Sequence, residues 1–309
     1  MRAFENGVRI LRAAATNIVA ATAPGLYVRL TQDTGRGEHN CNSPEDVAAY
    51  FRKCFEDYFS AQDLPLGEVT TSLAGKTILE YGPGDVLGVA LLLVAHGAKK
   101  VYCVDRFPLL RHSPFNIRVI ELLLESLSDA QRDRAVRCFN SIGDPASGYS
   151  SAQIEYITTI GGCSGLLGKA DWIISRAVLE HVDNLDALFS DMRMALSVDG
   201  RAIHLVDLKS HGFDQENRLD FLKWAPWLWR VMYSHKGVPN RWRIDHYRAL
   251  LQRHGFDVVK LEATERASQE EVAEVRSMLA PRFKSLSSSD LSWLGFWLVC
   301  RKLETEETA

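Results

Sequence analysis

Between residues 180 and 214 the chain carries a run of groups that can move protons: Glu180, His181, His204, Asp207, His211 and Asp214. An imidazole titrates at about pH 6.5, so it can take a proton from a hydroxyl or an amine near neutrality, and a neighbouring carboxylate can orient it. His211 with Asp207 suits a general base and its orienting acid, because both lie in the stretch IHLVDLKSHGFD where an apolar run gives way to a loop. His181, beside Glu180, is a second imidazole at the end of an apolar run. His204 falls inside such a run and by alternation is a buried core histidine. Asp207, His211 and Asp214 also have the chemistry of divalent-cation ligands, although no resident metal is expected.

These groups need a frame, and the frame is read best from Thr77 to Asp105, TILEYGPGDVLGVALLLVAHGAKKVYCVD. A short apolar run, Thr77–Tyr81, contains an acid, Glu80. Gly82-Pro83-Gly84 is a turn, Val86–His96 is apolar on nearly every face and predicts a buried helix, and Val101–Val104 is a second apolar run closed by Asp105. This is a βαβ unit whose glycines let a ligand approach the backbone closely. The helix start offers free N–H groups. Asp105 stands 23 residues after Gly82, where a carboxylate accepts both hydrogen bonds of a ribose diol.

The glycines at 82, 84 and 88 are spaced one residue longer than the G-x-G-x-x-G of nicotinamide dinucleotide sites. With Glu80 two residues before the first glycine, the E-x-G-x-G pattern resembles the first motif of class I S-adenosylmethionine-dependent methyltransferases. Residues 171–182, DWIISRAVLEHV, look like the fourth strand of that family and the loop after it. The resemblance spans about residues 50–302. It implies an α/β fold: a doubly wound, mostly parallel seven-stranded sheet of Rossmann-like type, with an antiparallel edge strand, an N-terminal helical extension and an inserted cap. It implies S-adenosyl-L-methionine as cofactor, held by Glu80, Gly82, Gly84, Asp105, Arg106 (against the adenine), Ser175 and Arg176. Donor and acceptor meet after the fourth and fifth strands, which puts His211, Asp207 and His181 in catalytic positions. The Glu-His pair at 180–181 is common in one branch of the family, where it often supports the loop. The polar residue usual after the third strand has no clear counterpart beyond Thr158 and Thr159.

The rest of the chain fits around this frame. Residues 1–70 predict a helical extension or lid, with Val8, Leu11, Ala15, Ile18 and Val19 on one face of a first helix packed on the domain or on a partner subunit. Arg2, Arg9 and Arg12 also permit a membrane-surface helix. Ser43-Pro44 starts a helix over Glu45–Ser60. Further helices are read at Asn116–Leu127, Leu185–Leu196, Asp245–His254 and about Gln269–Leu279. Strands are read at Gln153–Thr159, Ala170–Ser175, Arg201–Val206, Phe256–Leu261 and Gly295–Arg301; residues 128–151 resist assignment. The catalytic domain runs over 71–302 with the cap at about 208–243, and 303–309 is an acidic tail expected to be disordered. The cap holds FLKWAPWLWRVMY, read either as a helix packed on the core or as an aromatic wall for the acceptor. Trp224, Trp227 and Arg241 are its substrate-binding candidates, Arg241 for a carboxylate or phosphate.

A chain of 309 residues with net charge −3 has no general pull toward nucleic acid. Six cysteines without a C-x-x-C pair suggest the reduced thiols of a cytoplasm. Ala13–Val28 is too interrupted for a membrane span. The leading reading is methyl transfer to a small molecule, at oxygen, on a secondary metabolite or a sugar-like acceptor, with a homodimer left open. The alternatives are a methyltransferase-like protein that binds without turnover and a nicotinamide-dependent oxidoreductase.

Overall fold

The computed structural model describes residues 2–31, 43–159, 162–210, 216–236 and 239–303, with residues 2–9 and 31 as backbone alone. The first part is helical: α1 (Arg2–Thr22), α2 (Pro24–Thr31), α3 (Pro44–Ser60) and α4 (Val69–Leu73). The sheet then begins with β1 (Thr77–Tyr81), α5 (Gly88–Ala95), β2 (Lys100–Asp105), α6 (Pro114–Glu125) and α7 (Asp129–Ala135). A small hairpin follows, β3 (Phe139–Ser141) and β4 (Asp144–Tyr149), and then β5 (Ile154–Thr158), β6 (Ala170–Arg176), α8 (Leu185–Ala195) and β7 (Leu196–Asp207). The chain closes with α9 (Pro226–Tyr233), α10 (Ile244–Arg253), β8 (Phe256–Arg266), α11 (Gln269–Arg276), α12 (Pro281–Lys284), α13 (Ser288–Ser292) and β9 (Trp293–Lys302).

Seven strands form one sheet in the order β5-β2-β1-β6-β7-β9-β8. All neighbours are parallel up to β7; β9 runs antiparallel to both β7 and β8. The expected fold class is therefore the observed one. Successive strands travel outward from β1 through β2 to β5, and the chain then returns to the other side of β1 as β6. That reversal opens a crevice beyond the carboxyl ends of β1 and β6, the place where open α/β sheets bind ligands.

Local sequence explains why these elements form. The strands β1, β2 and β6 are apolar on both faces because helices cover the sheet on both sides. All eight residues of α5 are buried, as its unbroken apolar sequence requires. The third glycine of the motif serves this packing: a Cβ on Gly88 would stand 2.5 Å from the Phe51 ring, so α3 lies directly on the start of α5. Helix α3 begins as read, with Ser43 and Asp46 capping one another and Pro44 in the first turn. Residues 128–151, unassigned in the sequence, form α7 and the hairpin, which turns through Gly143 at φ +79°.

Most of the described residues of the expected α1 face do not pack on the domain. On α1 the inward residues are Ala13, Asn17 and Ala20, while Leu11, Ala15 and Ile18 point out to solvent. The reason is Asn17. Its amide donates to Val231 O at 3.0 Å and to Ser234 Oγ at 3.2 Å, and its oxygen accepts from the His235 N–H at 2.8 Å. One polar side chain thus satisfies the end of α9 and fixes which side of α1 faces the domain.

Candidate functional site

The floor of the crevice is the turn after β1. Gly82 and Gly84 have φ of +64° and +78°, conformations that disfavour a Cβ, and a Cβ on Gly82 would also lie 2.4 Å from Val178 Cγ2. The Gly82 N–H donates to Val104 O at 2.8 Å, which pins the turn to the end of β2. There Asp105 is buried, its carboxylate accepting the Phe107 N–H at 3.1 Å. Burial pushes its pKa up to about 6 against the pull of these N–H groups. Glu80 is also buried. Burial carries its carboxyl to about 8, and among the described residues the hydrogen bond opposing this is from the Cys103 thiol at 3.7 Å. Arg106 lies over the Phe107 ring at 4.7 Å, with Nη2 buried and without a hydrogen-bond partner among the described residues.

The facing wall is the loop after β6. Arg176 donates to Asp57 at 2.9 Å and lies 5.8 Å from the Tyr50 ring, tying this loop to α3. Ala177 follows at φ +53°, a left-handed conformation that a non-glycine residue holds only under constraint; its N–H bonds Leu205 O at 2.9 Å. Glu180 and His181 come next in a single 3-10 turn. Glu180 is buried, which raises its carboxyl well above the usual range, and the nearby Asp207 charge adds to this. The half-buried imidazole of His181 places Nε2 3.8 Å from Glu180 Oε1.

A residue that sequence reasoning missed holds this loop. Asn240, on the return from the cap, donates from Nδ2 to Leu179 O at 2.9 Å and Val182 O at 2.8 Å, and its own N–H meets Glu180 O at 2.6 Å. Asp191 was missed too. Its carboxylate accepts from the Tyr81 hydroxyl and from the Ser164 and Gly165 N–H groups at 2.6 and 2.9 Å, so α8 holds both the end of β1 and the loop after β5. Its place three residues after the inward Leu188 was the available signal.

Several expected roles are corrected by placement. Ser175 is buried within the sheet and shares a hydrogen bond with His204 Nδ1 at 2.7 Å, so its hydroxyl does not face the crevice. His204 is the core histidine it was read to be; burial lowers its pKa to about 3 and keeps it neutral. Arg241 does not present its charge to an acceptor. It is 3% exposed, donates to Phe221 O at 3.1 Å and Trp224 O at 2.8 Å, and lies over the Trp229 ring at 4.6 Å. Arg243, equally buried, donates to the carbonyls of Leu208, Leu291 and Trp293. Most of the aromatic stretch forms the inside of the cap: Phe221, Trp229 and Tyr233 are buried against α11–α13, Trp224 packs at the margin, and Trp227 is 69% exposed and faces solvent.

Asp207 stays at the carboxyl end of β7, where it accepts the Lys209 N–H at 2.9 Å and stands 3.5 Å from its ammonium. His211 and Asp214 lie outside the described residues, so the proposed His211–Asp207 dyad is not seen. Among the described residues no three His, Cys, Asp or Glu side chains are grouped to hold a metal ion.

The crevice fits a cationic nucleoside. Its glycine floor is closed to side chains, Asp105 can accept from a diol, and Glu80 is a buried carboxyl that a neighbouring positive charge would ionise. A family model described as a methyltransferase domain matches residues 55–261. Similar solved structures include an S-adenosylmethionine-dependent methyltransferase from Mesorhizobium loti, 16% identical over 74% of this chain and 92% of that one at a TM-score of 0.41. A second is phosphoethanolamine N-methyltransferase 2 of Haemonchus contortus in complex with S-adenosyl-L-methionine, 14% identical over 76% of this chain and 52% of that one at 0.43. A third is a methyltransferase from Methanosarcina mazei, 13% identical over 78% and 100% at 0.44. No curated protein matches. Matched over more than half its length by the methyltransferase-domain model, the chain belongs to that family and is a class I S-adenosylmethionine-dependent methyltransferase.

Proposed function

We propose that this enzyme methylates an oxygen of a small-molecule acceptor, a secondary metabolite or a sugar-like compound, and that His181 takes the acceptor's proton. The observation that carries this reading is the held position of His181: beside the buried Glu180, on a loop that Asn240 grips at both ends. Helix α3 meets the crevice wall through Asp57 and Arg176, and α2 meets its rim through Tyr27 and Phe107; such enclosure favours a small acceptor over a polymer.

Bound S-adenosylmethionine supplies an already activated methyl group, so the protein's part is position, a dry site and a proton acceptor. Gly82 and Gly84 would offer backbone at close range, Asp105 would accept from the ribose hydroxyls, Glu80 would answer the positive charge, and Arg106, over the Phe107 ring, would stand beside the base. His181 accepts the hydroxyl proton while Glu180 and Asn240 hold its loop still. Asp207 braces the turn after β7 through Lys209.

Turnover of His181→Gln and His211→Ala with a hydroxyl acceptor tests the assignment. His181→Gln is expected to lose about 10²–10⁴-fold in kcat with the cofactor affinity by calorimetry unchanged, and His211→Ala to keep its turnover. The opposite pattern moves the base to residue 211, and methylation of amines alone overturns the oxygen reading.

A further inference from the structure

The outer surface of the N-terminal layer is apolar where it meets solvent. Leu11 is 72% and Ile18 64% exposed on the outward side of α1, with the exposed Ala15 between them. Leu26 and Leu30 are exposed on α2, and Trp227 and Val231 stand one turn apart on the outward side of α9, against which α1 is bonded through Asn17. Six of the fifteen large hydrophobic side chains most exposed among the described residues belong to these three neighbouring helices, a concentration that a random scatter does not give.

The charge on this layer is mainly positive. Across α1, α2 and α9 one acid, Glu5, stands against Arg2, Arg9, Arg12, Arg29 and Arg230, although the chain as a whole is at −3. Arg12, Arg29 and Arg230 are exposed among the apolar residues. We infer that this face docks on an anionic lipid bilayer, with α1 and α9 lying in the plane of the headgroups. A tryptophan at the rim, exposed leucine and isoleucine, and arginines that outnumber acids five to one are what an interfacial helix presents to such a surface. A second copy of the chain is the weaker occupant, because joining two identical faces would bring arginine against arginine. No helix among the described residues is long and apolar enough to cross a membrane, so the contact is one of resting on the bilayer. The same helices reach the cofactor crevice: Tyr27 of α2 lies 5.6 Å from the Phe107 ring, beside Asp105.

Co-sedimentation with vesicles tests this. The wild-type protein is expected to pellet with phosphatidylglycerol–phosphatidylcholine vesicles and to stay in solution with phosphatidylcholine alone. Its affinity is expected to fall about tenfold or more between about 50 and 500 mM salt. The Leu11→Ser/Ile18→Ser double variant is expected to bind at least about tenfold more weakly. Arg12→Gln/Arg230→Gln, which leaves the apolar residues in place, is expected to lose the salt dependence. Equal binding by all variants, or no binding to the anionic vesicles, overturns the inference. So does a wild-type dimer in sedimentation equilibrium that the leucine–isoleucine variant dissociates, because that identifies a second copy as the occupant.

Discussion

Replacing Glu80 by glutamine is expected to make the ligand-free protein more stable at alkaline pH and a poorer binder of its cofactor. Burial holds the Glu80 carboxyl at about 8 against its ordinary 4.5, with a weak thiol donor as the opposing contact. Below pH 4.5 the group is protonated in both the folded and the unfolded chain and costs nothing. Between 4.5 and about 8 the folded chain keeps a proton that the unfolded chain has released, so the wild type loses stability as pH rises through that window. A difference of this size is worth at most about 5 kcal/mol; relaxation around the site brings the expected gain at pH 8.5 to roughly 2–4 kcal/mol. Glutamine fills the same space without a charge to strip of water. Denaturant unfolding of the two proteins from pH 5 to 9 measures the gap, which is expected to widen with pH. Calorimetry with S-adenosylmethionine is expected to show the variant binding about tenfold or more weakly, because a cation gains from an ionised partner in a water-poor site. Unfolding curves that stay parallel across the pH range would refute the argument, as would a variant that binds the cofactor as well as the wild type.

Three further outcomes follow from the same geometry. Asp105 titrates near 6, so cofactor affinity is expected to fall as pH drops from 7 to 5, and Asp105→Asn to bind about tenfold more weakly with that pH dependence reduced, both read by calorimetric titration. Asn240→Ala releases the carbonyls of Leu179 and Val182; it is expected to cost about 1–3 kcal/mol in denaturant unfolding and to lower kcat with a displaced pH–rate profile, since His181 rides on the freed loop. Arg241→Met leaves two cap carbonyls without their donor; it is expected to lower the melting temperature by several degrees while KM for the acceptor changes less than about threefold, whereas a substrate-holding arginine would show the reverse.

The fold was legible where local and global signals agree. The apolar runs of β1, β2 and β6, and the helix α5 that is apolar on every side, have one way to be buried, and the glycines between them announce the turn. Residues 128–151 were opaque because β3 is three residues long and carries one buried side chain, too few to show a period. The side of α1 that meets the domain was not legible, because Asn17, a polar residue, makes the contact that decides the orientation. Asp105 at the end of β2 and Glu80 within β1 stand where the apolar runs placed them. Arg241 and Arg243 could not be placed in this way, because their partners are main-chain carbonyls 17 to 50 residues away, and a carbonyl leaves no mark in the sequence. Asn240 escaped notice for the same reason.

Those three side chains, spaced over four residues, have a consequence for engineering. Asn240 bonds to the turn that carries the Glu-His pair, Arg241 to the cap, and Arg243 to the joint between β7 and β9. A distortion of the cap therefore reaches the Glu-His turn and the β7–β9 joint through one short connector, beside the separate tie of Arg218 to β8. A foreign segment in place of residues 216–236 is expected to leave the Glu-His turn where it is, provided the stretch from 239 to 243 is kept. Grafts that also replace it are expected to keep cofactor binding by calorimetry and to lose the position of that turn.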